Sequence, residues 1–110
     1  MPAKSVSTVL EEIIVQPVAP WIIRIMYTYE GRPNTKDEMT IAMERLFTRN
    51  KGLNNLLPIC GDGIDSAYKY LIEQELLESR EGYYYMTARG GLVGEGLWPI
   101  HTDISDELRY

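Results

Sequence analysis

The feature that most constrains this chain is the stretch of residues 63–90, GIDSAYKYLIEQELLESREGYYYMTARG. In its first half, apolar side chains recur every three or four residues, which places them on one face of a helix. These residues are Ile64, Ala67, Tyr68, Leu71 and Ile72, and the pattern closes with Leu76 and Leu77. The opposite face carries Asp65, Ser66, Lys69, Tyr70 and Glu73. The spacing therefore predicts an amphipathic helix that begins near Ile64, with Asp65 or Ser66 as its N-cap.

The second half of the stretch predicts a β-hairpin. Glu81-Gly82 is a two-residue turn signal, with glycine where a positive φ is required. Residues 83–87, YYYMT, have the aromatic and β-branched content of a returning strand, and Thr87 leads the chain out of it. A helix followed directly by a short hairpin is typical of a winged helix.

Three consecutive tyrosines mark the returning strand. Because successive side chains of a strand point to opposite faces, Tyr84 and Met86 share one face and Tyr83 and Tyr85 share the other. We expect Tyr84 to point inward and Tyr83 and Tyr85 to form the exposed surface of the wing. Such a surface is either an amphipathic cover over a small sheet or a patch that contacts protein or phosphate.

Two short motifs resemble those of winged helix-turn-helix DNA-binding proteins, such as small prokaryotic, archaeal or viral transcriptional regulators. Residues 71–77, LIEQELL, are similar to the end of the family's recognition helix, which has Leu, three polar residues, Gly and two apolar residues; here Glu75 stands at the Gly position. Residues 86–90, MTARG, resemble the apolar-Thr-x-x-Gly motif that closes the wing. The resemblance spans roughly residues 19–90. It implies an α+β, mainly α fold: a three-helix winged helix-turn-helix with a C-terminal two-stranded wing, here with an extra N-terminal helix.

The segments before the recognition helix predict three further helices or helical turns. Residues 1–17 contain a short apolar helix, capped by Ser7 or Thr8 and ended by Pro17, which we interpret as an N-terminal packing or dimerisation segment. Pro20 suits the first turn of a second helix. Thr35 and Glu38 form the capping box of a third. The winged-helix domain then covers residues 18–94, and residues 95–110 form an acidic C-terminal tail.

Two stretches fit no regular period. Residues 51–63, KGLNNLLPICGDG, form a connection longer than the turn of a minimal helix-turn-helix, in which Pro58 would end a short helical turn; its role is not indicated. Residues 90–96, GGLVGEG, are expected to turn the chain tightly rather than to form a helix. The apolar residues expected to fold back on the core after this turn are Leu92, Val93, Leu97 and Trp98.

Composition bounds the class of protein. A chain of 110 residues is expected to form one domain, and with Cys60 as its only cysteine it can form no internal disulfide. No apolar run reaches the roughly 18–20 residues of a membrane span, and the N-terminus lacks a signal-peptide core, so we expect a cytoplasmic address. One cysteine and one histidine, His101, supply neither a catalytic set nor a metal site. We expect no cofactor, no metal and no enzymatic activity.

The leading functional hypothesis is a sequence-specific regulator of transcription that binds double-stranded DNA as a homodimer. The resemblance implies that the N-terminal half of the helix near Ile64 enters the major groove and that the wing contacts the backbone. The base readers are then Ser66, Lys69 and Tyr70, and the phosphate contacts are Arg80 and Arg89 beside the wing. Arg45 and Arg49, four residues apart on the third helix, either support this contact or complement the helix dipole.

The formal net charge of −5 argues against a nucleic-acid partner, because proteins that neutralise phosphates usually carry a basic excess. Part of the excess lies from Glu95 onward, where four acidic residues accompany one arginine. Asp65 and Glu73 lie on the predicted reading face itself. The alternative hypothesis is therefore an acidic winged-helix module or adaptor that binds protein and no nucleic acid. The DNA sequence, an effector and the dimer interface are not indicated.

Overall fold

The computed structural model describes residues 4–29, 32–49 and 57–97, with the backbone alone for residues 57–62. Over these residues the chain forms five helices and one two-stranded antiparallel sheet. In chain order they are α1 (Val6–Ile13), α2 (Ala19–Thr28), α3 (Lys36–Arg49), α4 (Leu57–Glu73), β1 (Leu77–Arg80), β2 (Tyr83–Met86) and α5 (Ala88–Leu97). The predicted α+β, mainly α class is confirmed, and the layout is consistent with a winged helix. None of the described helices combines the length and apolar character that a membrane crossing needs.

Helix α1 lies against the rest of the chain rather than apart from it. The N-cap is Ser5, whose hydroxyl accepts a hydrogen bond from the Thr8 amide at 3.3 Å, so the predicted capping by Ser7 or Thr8 is wrong. Val9 and Ile13 are fully buried, and the helix packs against α5. One face of α1 is thus part of the core.

Helices α2 and α3 begin as the sequence predicts. Pro20 lies in the first turn of α2. At the start of α3, the Thr35 amide donates to Glu38 Oε1 at 2.9 Å and the Glu38 amide donates to Thr35 Oγ1 at 3.1 Å, which is the predicted capping box. Trp21 and Phe47 meet edge to face with ring centroids 5.9 Å apart, and their contact joins the two helices.

Helix α4 begins at Leu57, seven residues before the predicted start near Ile64. Asp65 and Ser66 therefore lie within the helix and do not cap it. Pro58 stands in its first turn, where a missing amide hydrogen has no helical acceptor to lose, so the proline opens this helix instead of ending a turn. Gly63 lies at the contact with α2, since a Cβ there would be 3.1 Å from Val18 Cγ2. The rest of the predicted connection, residues 51–56, is outside the described residues.

The end of α4 is a Schellman motif built on a non-glycine residue. Glu75 has a φ of 60°, in the left-handed region. The Leu76 amide donates to the Leu71 carbonyl at 2.9 Å and the Glu75 amide donates to the Ile72 carbonyl at 3.0 Å, which are the two bonds of that motif. Glu75 thus adopts a backbone conformation that glycine most often provides at the end of a helix.

The hairpin has the predicted turn. Glu81 and Gly82 have φ values of 51° and 83°, both positive, as a type I′ turn requires. Tyr84 exchanges two backbone hydrogen bonds with Asn34, so β2 lies between Asn34 and β1. The Tyr84 ring stacks on the Tyr68 ring with centroids 4.1 Å apart. Tyr84 therefore points inward as predicted and anchors the hairpin to α4.

The glycine-rich stretch after the hairpin is a helix, α5, so the prediction of a tight turn is wrong. Thr87 caps it, with its hydroxyl accepting from the Gly90 amide at 3.0 Å. A Cβ on Gly90 would lie 2.2 Å from the Leu76 carbonyl oxygen, and one on Gly94 would lie 2.7 Å from Tyr27 Cδ1. The glycines therefore let a helix approach its neighbours closely, which is why a chain so rich in glycine is helical here.

The predicted division between residues 94 and 95 falls inside helix α5. Val93 and Leu97 are buried as predicted, whereas Leu92 is 54% exposed. Trp98 and the rest of the predicted acidic tail lie outside the described residues.

Candidate nucleic-acid interface

One face of α4 is buried and the opposite face is open to solvent. The buried positions are Ile64, Ala67, Tyr68 and Leu71, as the periodicity predicts. The exposed positions are Asp65, Ser66, Lys69, Ile72 and Glu73. This set, which we call the outer face of α4, differs from the predicted polar face at two positions: Ile72 has joined it and Tyr70 has left it.

Tyr70 is turned toward α1. Its side chain is partly buried, and its hydroxyl donates to Glu12 Oε1 at 3.2 Å. Burial, and then the hydrogen bond to the Glu12 carboxylate, raises the pKa of Tyr70 to about 12. A hydrogen bond from Lys4 is the main cause that lowers the pKa of Glu12. Of the three predicted base readers, the structure thus brings Ser66 and Lys69 together on the outer face and gives Tyr70 an intramolecular partner.

Lys36 belongs beside this face, although sequence reasoning did not select it. Its Nζ donates to Asp65 Oδ1 at 2.5 Å. This hydrogen bond, with the attraction between the two charges, raises the pKa of Lys36. The pairing offsets the unfavourable charge of Asp65 and places a cation at the edge of the outer face. No local pattern connects two residues 29 positions apart, so only the packing of α3 on α4 could reveal it.

Arg89 performs a structural task. Its Nε donates to the Gln74 carbonyl at 3.0 Å, beyond the last turn of α4, and its Nη2 donates to the Lys4 carbonyl at 2.5 Å. The guanidinium thereby ties the N-terminal segment and the start of α5 to the end of α4. Because the side chain is partly buried with two backbone acceptors, it is poorly placed to reach a phosphate.

Arg80 is the exposed cation of the hairpin. Its guanidinium carbon lies 4.3 Å from the centre of the Tyr85 ring, and its Nη2 lies 3.9 Å from Glu78 Oε2. The stacking covers Tyr85, which is only partly exposed, whereas Tyr83 is 45% exposed. The predicted wing surface is thus open at Tyr83 and shared with Arg80 at Tyr85.

Arg45 and Arg49 lie on an exposed part of α3 and line a shallow groove with Ile41, Glu44 and Thr48. Arg49 is in the last turn of the helix, where a cation complements the dipole. At 1.5 Å per residue, Arg49 lies about 20 Å along the helix axis from Lys36.

The candidate interface, which consists of the outer face of α4, Lys36 and the β1–β2 hairpin, carries nearly equal numbers of positive and negative charges. Its cations are Lys36, Lys69 and Arg80, and its anions are Asp65, Glu73, Glu78 and Glu81. Lys36 pairs with Asp65 and Arg80 lies near Glu78, whereas Lys69 forms no ion pair with any described residue. The surface can neutralise a few phosphates and no more.

Within the described ranges, no cluster of three or more histidine, cysteine, aspartate or glutamate side chains is arranged to hold a metal ion. The side chain of Cys60 and the whole of His101 lie outside what the structure describes. Comparison with known proteins finds no matching family model, no similar protein of curated function and no similar solved structure.

Proposed function

We propose that the chain is a winged-helix regulator of transcription that binds duplex DNA through the outer face of α4 and the β1–β2 hairpin. The observation that carries the proposal is the exposed pair Ser66 and Lys69 on a helix whose opposite face is anchored in the core, with a hairpin directly behind it. An α-helix fits the major groove of B-DNA, and a helix presented in this way can enter it without disturbing the core.

The residues take distinct roles. Lys69 donates to guanine or to a phosphate, and the Ser66 hydroxyl donates or accepts at a base edge. Lys36 and Arg80, at the two sides of the outer face, contact the backbone. Glu73 accepts from a cytosine amino group, which is the favourable use of an acidic residue in the groove. Tyr70 and Arg89 hold the scaffold, and Arg45 and Arg49 add only a distant positive potential.

The charge count limits the affinity of one copy. With three phosphates neutralised, the logarithm of the binding constant falls with the logarithm of salt at a slope of about −2.7. Raising salt fourfold then weakens binding about 40-fold. Two copies on neighbouring half-sites would double the slope, so this modest cationic surface is one reason to propose that the regulator acts as a homodimer.

Fluorescence anisotropy with a pool of duplexes of random sequence, at salt concentrations from 50 to 200 mM, tests the proposal. We expect Lys69→Ala to weaken binding by about tenfold and to reduce the salt slope by about one. Lys4→Ala is the matched control, since it removes the same charge from the exposed N-terminal segment, where Lys4 pairs with Glu12. Absence of binding at 50 mM salt, or equal effects of the two variants, would contradict the proposal.

The second candidate is a protein-binding module, and one observation favours it. The outer face and hairpin carry a slight negative excess together with two exposed apolar side chains, Ile72 at 39% and Tyr83 at 45%. Aromatic and aliphatic side chains in a polar surround are typical of protein interfaces. If the chain is a protein-binding module, Ile72→Ser and Tyr83→Ser abolish binding of the protein partner. Duplex DNA then does not bind the surface and does not displace the partner. The same anisotropy titration therefore separates the two candidates.

A further inference from the structure

Among the residues that the structure describes, no strand pairs with the edge of β1 that faces away from β2, which we call the free edge of β1. The register of the hairpin defines which groups point out of this edge. Tyr84 directs both its amide and its carbonyl toward Asn34, so it directs neither toward β1. Its neighbour across the hairpin is Ser79. In an antiparallel ladder such a pair makes no bonds between its own members, so the Ser79 amide and carbonyl point away from β2. No described backbone group bonds them.

Space for another strand lies beside this edge. A groove of about 780 Å³ is bordered by β1, by the end of α4 and by the start of α5. Ile72, Leu77 and Ala88 supply its apolar part. An unpaired edge next to an open groove is a site where a further strand can add to a sheet.

The charges of β1 indicate which strand could add to this edge. Glu78 and Arg80 flank Ser79, are exposed and point to the same side of the strand. If a second copy approached antiparallel with the two Ser79 residues opposite each other, each Glu78 would stand directly across from Arg80 of the other copy. Opposite charges placed directly across an antiparallel pair are favourable, and the arrangement obeys a two-fold axis.

The neighbouring registers are less favourable. A shift that places Ser79 opposite Leu77 sets the two Glu78 side chains directly across from each other, and like charges there repel. A shift in the other direction would pair Ser79 with Glu81, whose φ of 51° is that of a turn and not of a strand. The register with the two Ser79 residues opposite each other is the one that pairs the outward backbone groups and also places opposite charges across from each other.

We propose that the free edge of β1 is the homodimer interface, with two hairpins joined through Ser79 into one four-stranded antiparallel sheet. Each Ser79 amide donates to the Ser79 carbonyl of the other copy, and Glu78 pairs with Arg80 across the contact on both sides of the axis. The inference rests on the proposed homodimer. In that dimer Arg80 lies at the interface, so Lys36 and Lys69 of each copy remain to neutralise phosphates, and the salt slope of a bound dimer is about −3.6 rather than twice that of one isolated copy.

Charge reversal provides the test, with the dissociation constant of the dimer measured by sedimentation velocity. Glu78→Arg and Arg80→Glu each turn two attractive pairs into two repulsive ones, and we expect each variant to dimerise at least tenfold more weakly than the wild type. Mixed in equal amounts, the two variants restore both pairs, so a heterodimer of near wild-type affinity should form. The double variant Glu78→Arg/Arg80→Glu should also recover the homodimer.

Ser79→Pro is a second, independent variant. It removes the amide hydrogen that points out of the edge, a position where proline is tolerated by a strand, so the monomer should keep its circular dichroism spectrum and its melting temperature while the dimer is lost. Dimers that persist in both single charge variants would overturn this interface while leaving the homodimer itself in place. Monomers in the wild type would overturn both. Neither result depends on duplex binding.

Discussion

Two adjacent glycines of α5 are expected to respond in opposite directions to the same substitution. At Gly90 a Cβ would lie 2.2 Å from the Leu76 carbonyl oxygen and 2.9 Å from Met86 Cγ. At Gly91 nothing lies within 4 Å of the added atom. Alanine favours a helix over glycine by about 0.8–1 kcal/mol in both cases, so the surroundings decide the sign of the change in stability.

The magnitude for Gly90→Ala follows from the contact. Real carbon–oxygen contacts are rarely below 3.0 Å, so the helix must move away from Leu76 by roughly 1 Å. Overpacking of this kind costs about 1–3 kcal/mol, and the movement weakens the hydrogen bond from the Thr87 amide to the same Leu76 oxygen, worth about 1 kcal/mol. After the gain in helix propensity, we expect a net loss of about 1–3 kcal/mol. Gly91→Ala should gain about 0.5–1 kcal/mol.

Thermal unfolding followed by circular dichroism measures the difference. For a chain of this length, 1 kcal/mol corresponds to about 4 °C, so the melting temperatures of the two variants should differ by about 6–16 °C, with the wild type between them. Chemical unfolding in urea provides the free energies directly. If Gly90→Ala were as stable as the wild type, α5 would not pack against the end of α4 as described.

Three further predictions concern the scaffold that presents the outer face of α4. Glu75→Gly should stabilise the protein by about 0.5–1 kcal/mol, since it relieves a left-handed residue, whereas the control Glu73→Gly, inside α4, should destabilise it by about 1 kcal/mol in the same urea titration. The pKa of Tyr70 is about 12 in the folded protein against a usual 10.0, so the contribution of Tyr70 to stability is present below pH 10 and is lost as the pH rises through about 12. Tyr70→Phe should therefore flatten the decline of the melting temperature between pH 10 and about pH 12. An unchanged decline would refute this role of Tyr70. Arg89→Met should lower stability by about 1–2 kcal/mol while leaving duplex affinity unchanged at 20 °C, and a selective loss of affinity would return Arg89 to the binding surface.

The local signals in the sequence predict most of the fold. Apolar spacing identifies the buried face of α4, the Thr35 and Glu38 pair identifies the start of α3, and Glu81-Gly82 identifies the hairpin turn. In each case the determining interaction lies within a few residues of the signal.

The errors occur where contacts distant in sequence decide the structure. Glycines at 90, 94 and 96 indicate a turn on local grounds, but their lack of side chains allows α5 to approach Leu76, Tyr27 and Leu10. Arg24, a charged residue within an apolar run, is fully buried in α2, and nothing in its local sequence indicates this. These positions depend on which helices meet, and periodicity within one helix does not contain that information.

In the candidate site, too, local periodicity predicts some features and tertiary contacts determine the others. The exposure of Ser66 and Lys69 follows from helical periodicity alone. The engagement of Tyr70 by Glu12, of Arg89 by two carbonyls and of Lys36 by Asp65 depends on tertiary packing, and together these contacts change the composition of the binding surface. The surface that emerges is smaller and less basic than the sequence alone suggests.

The most direct test of the central claim is the footprint of a bound duplex on the backbone amides, measured by nuclear magnetic resonance on the isotopically labelled protein. The account predicts chemical-shift changes at Lys36, Asp65, Ser66, Lys69 and the hairpin turn, and little change at α1 or at the second half of α5. Changes centred on α1 and α5, or none at low salt, would contradict the claim that the outer face of α4 is the surface that contacts DNA.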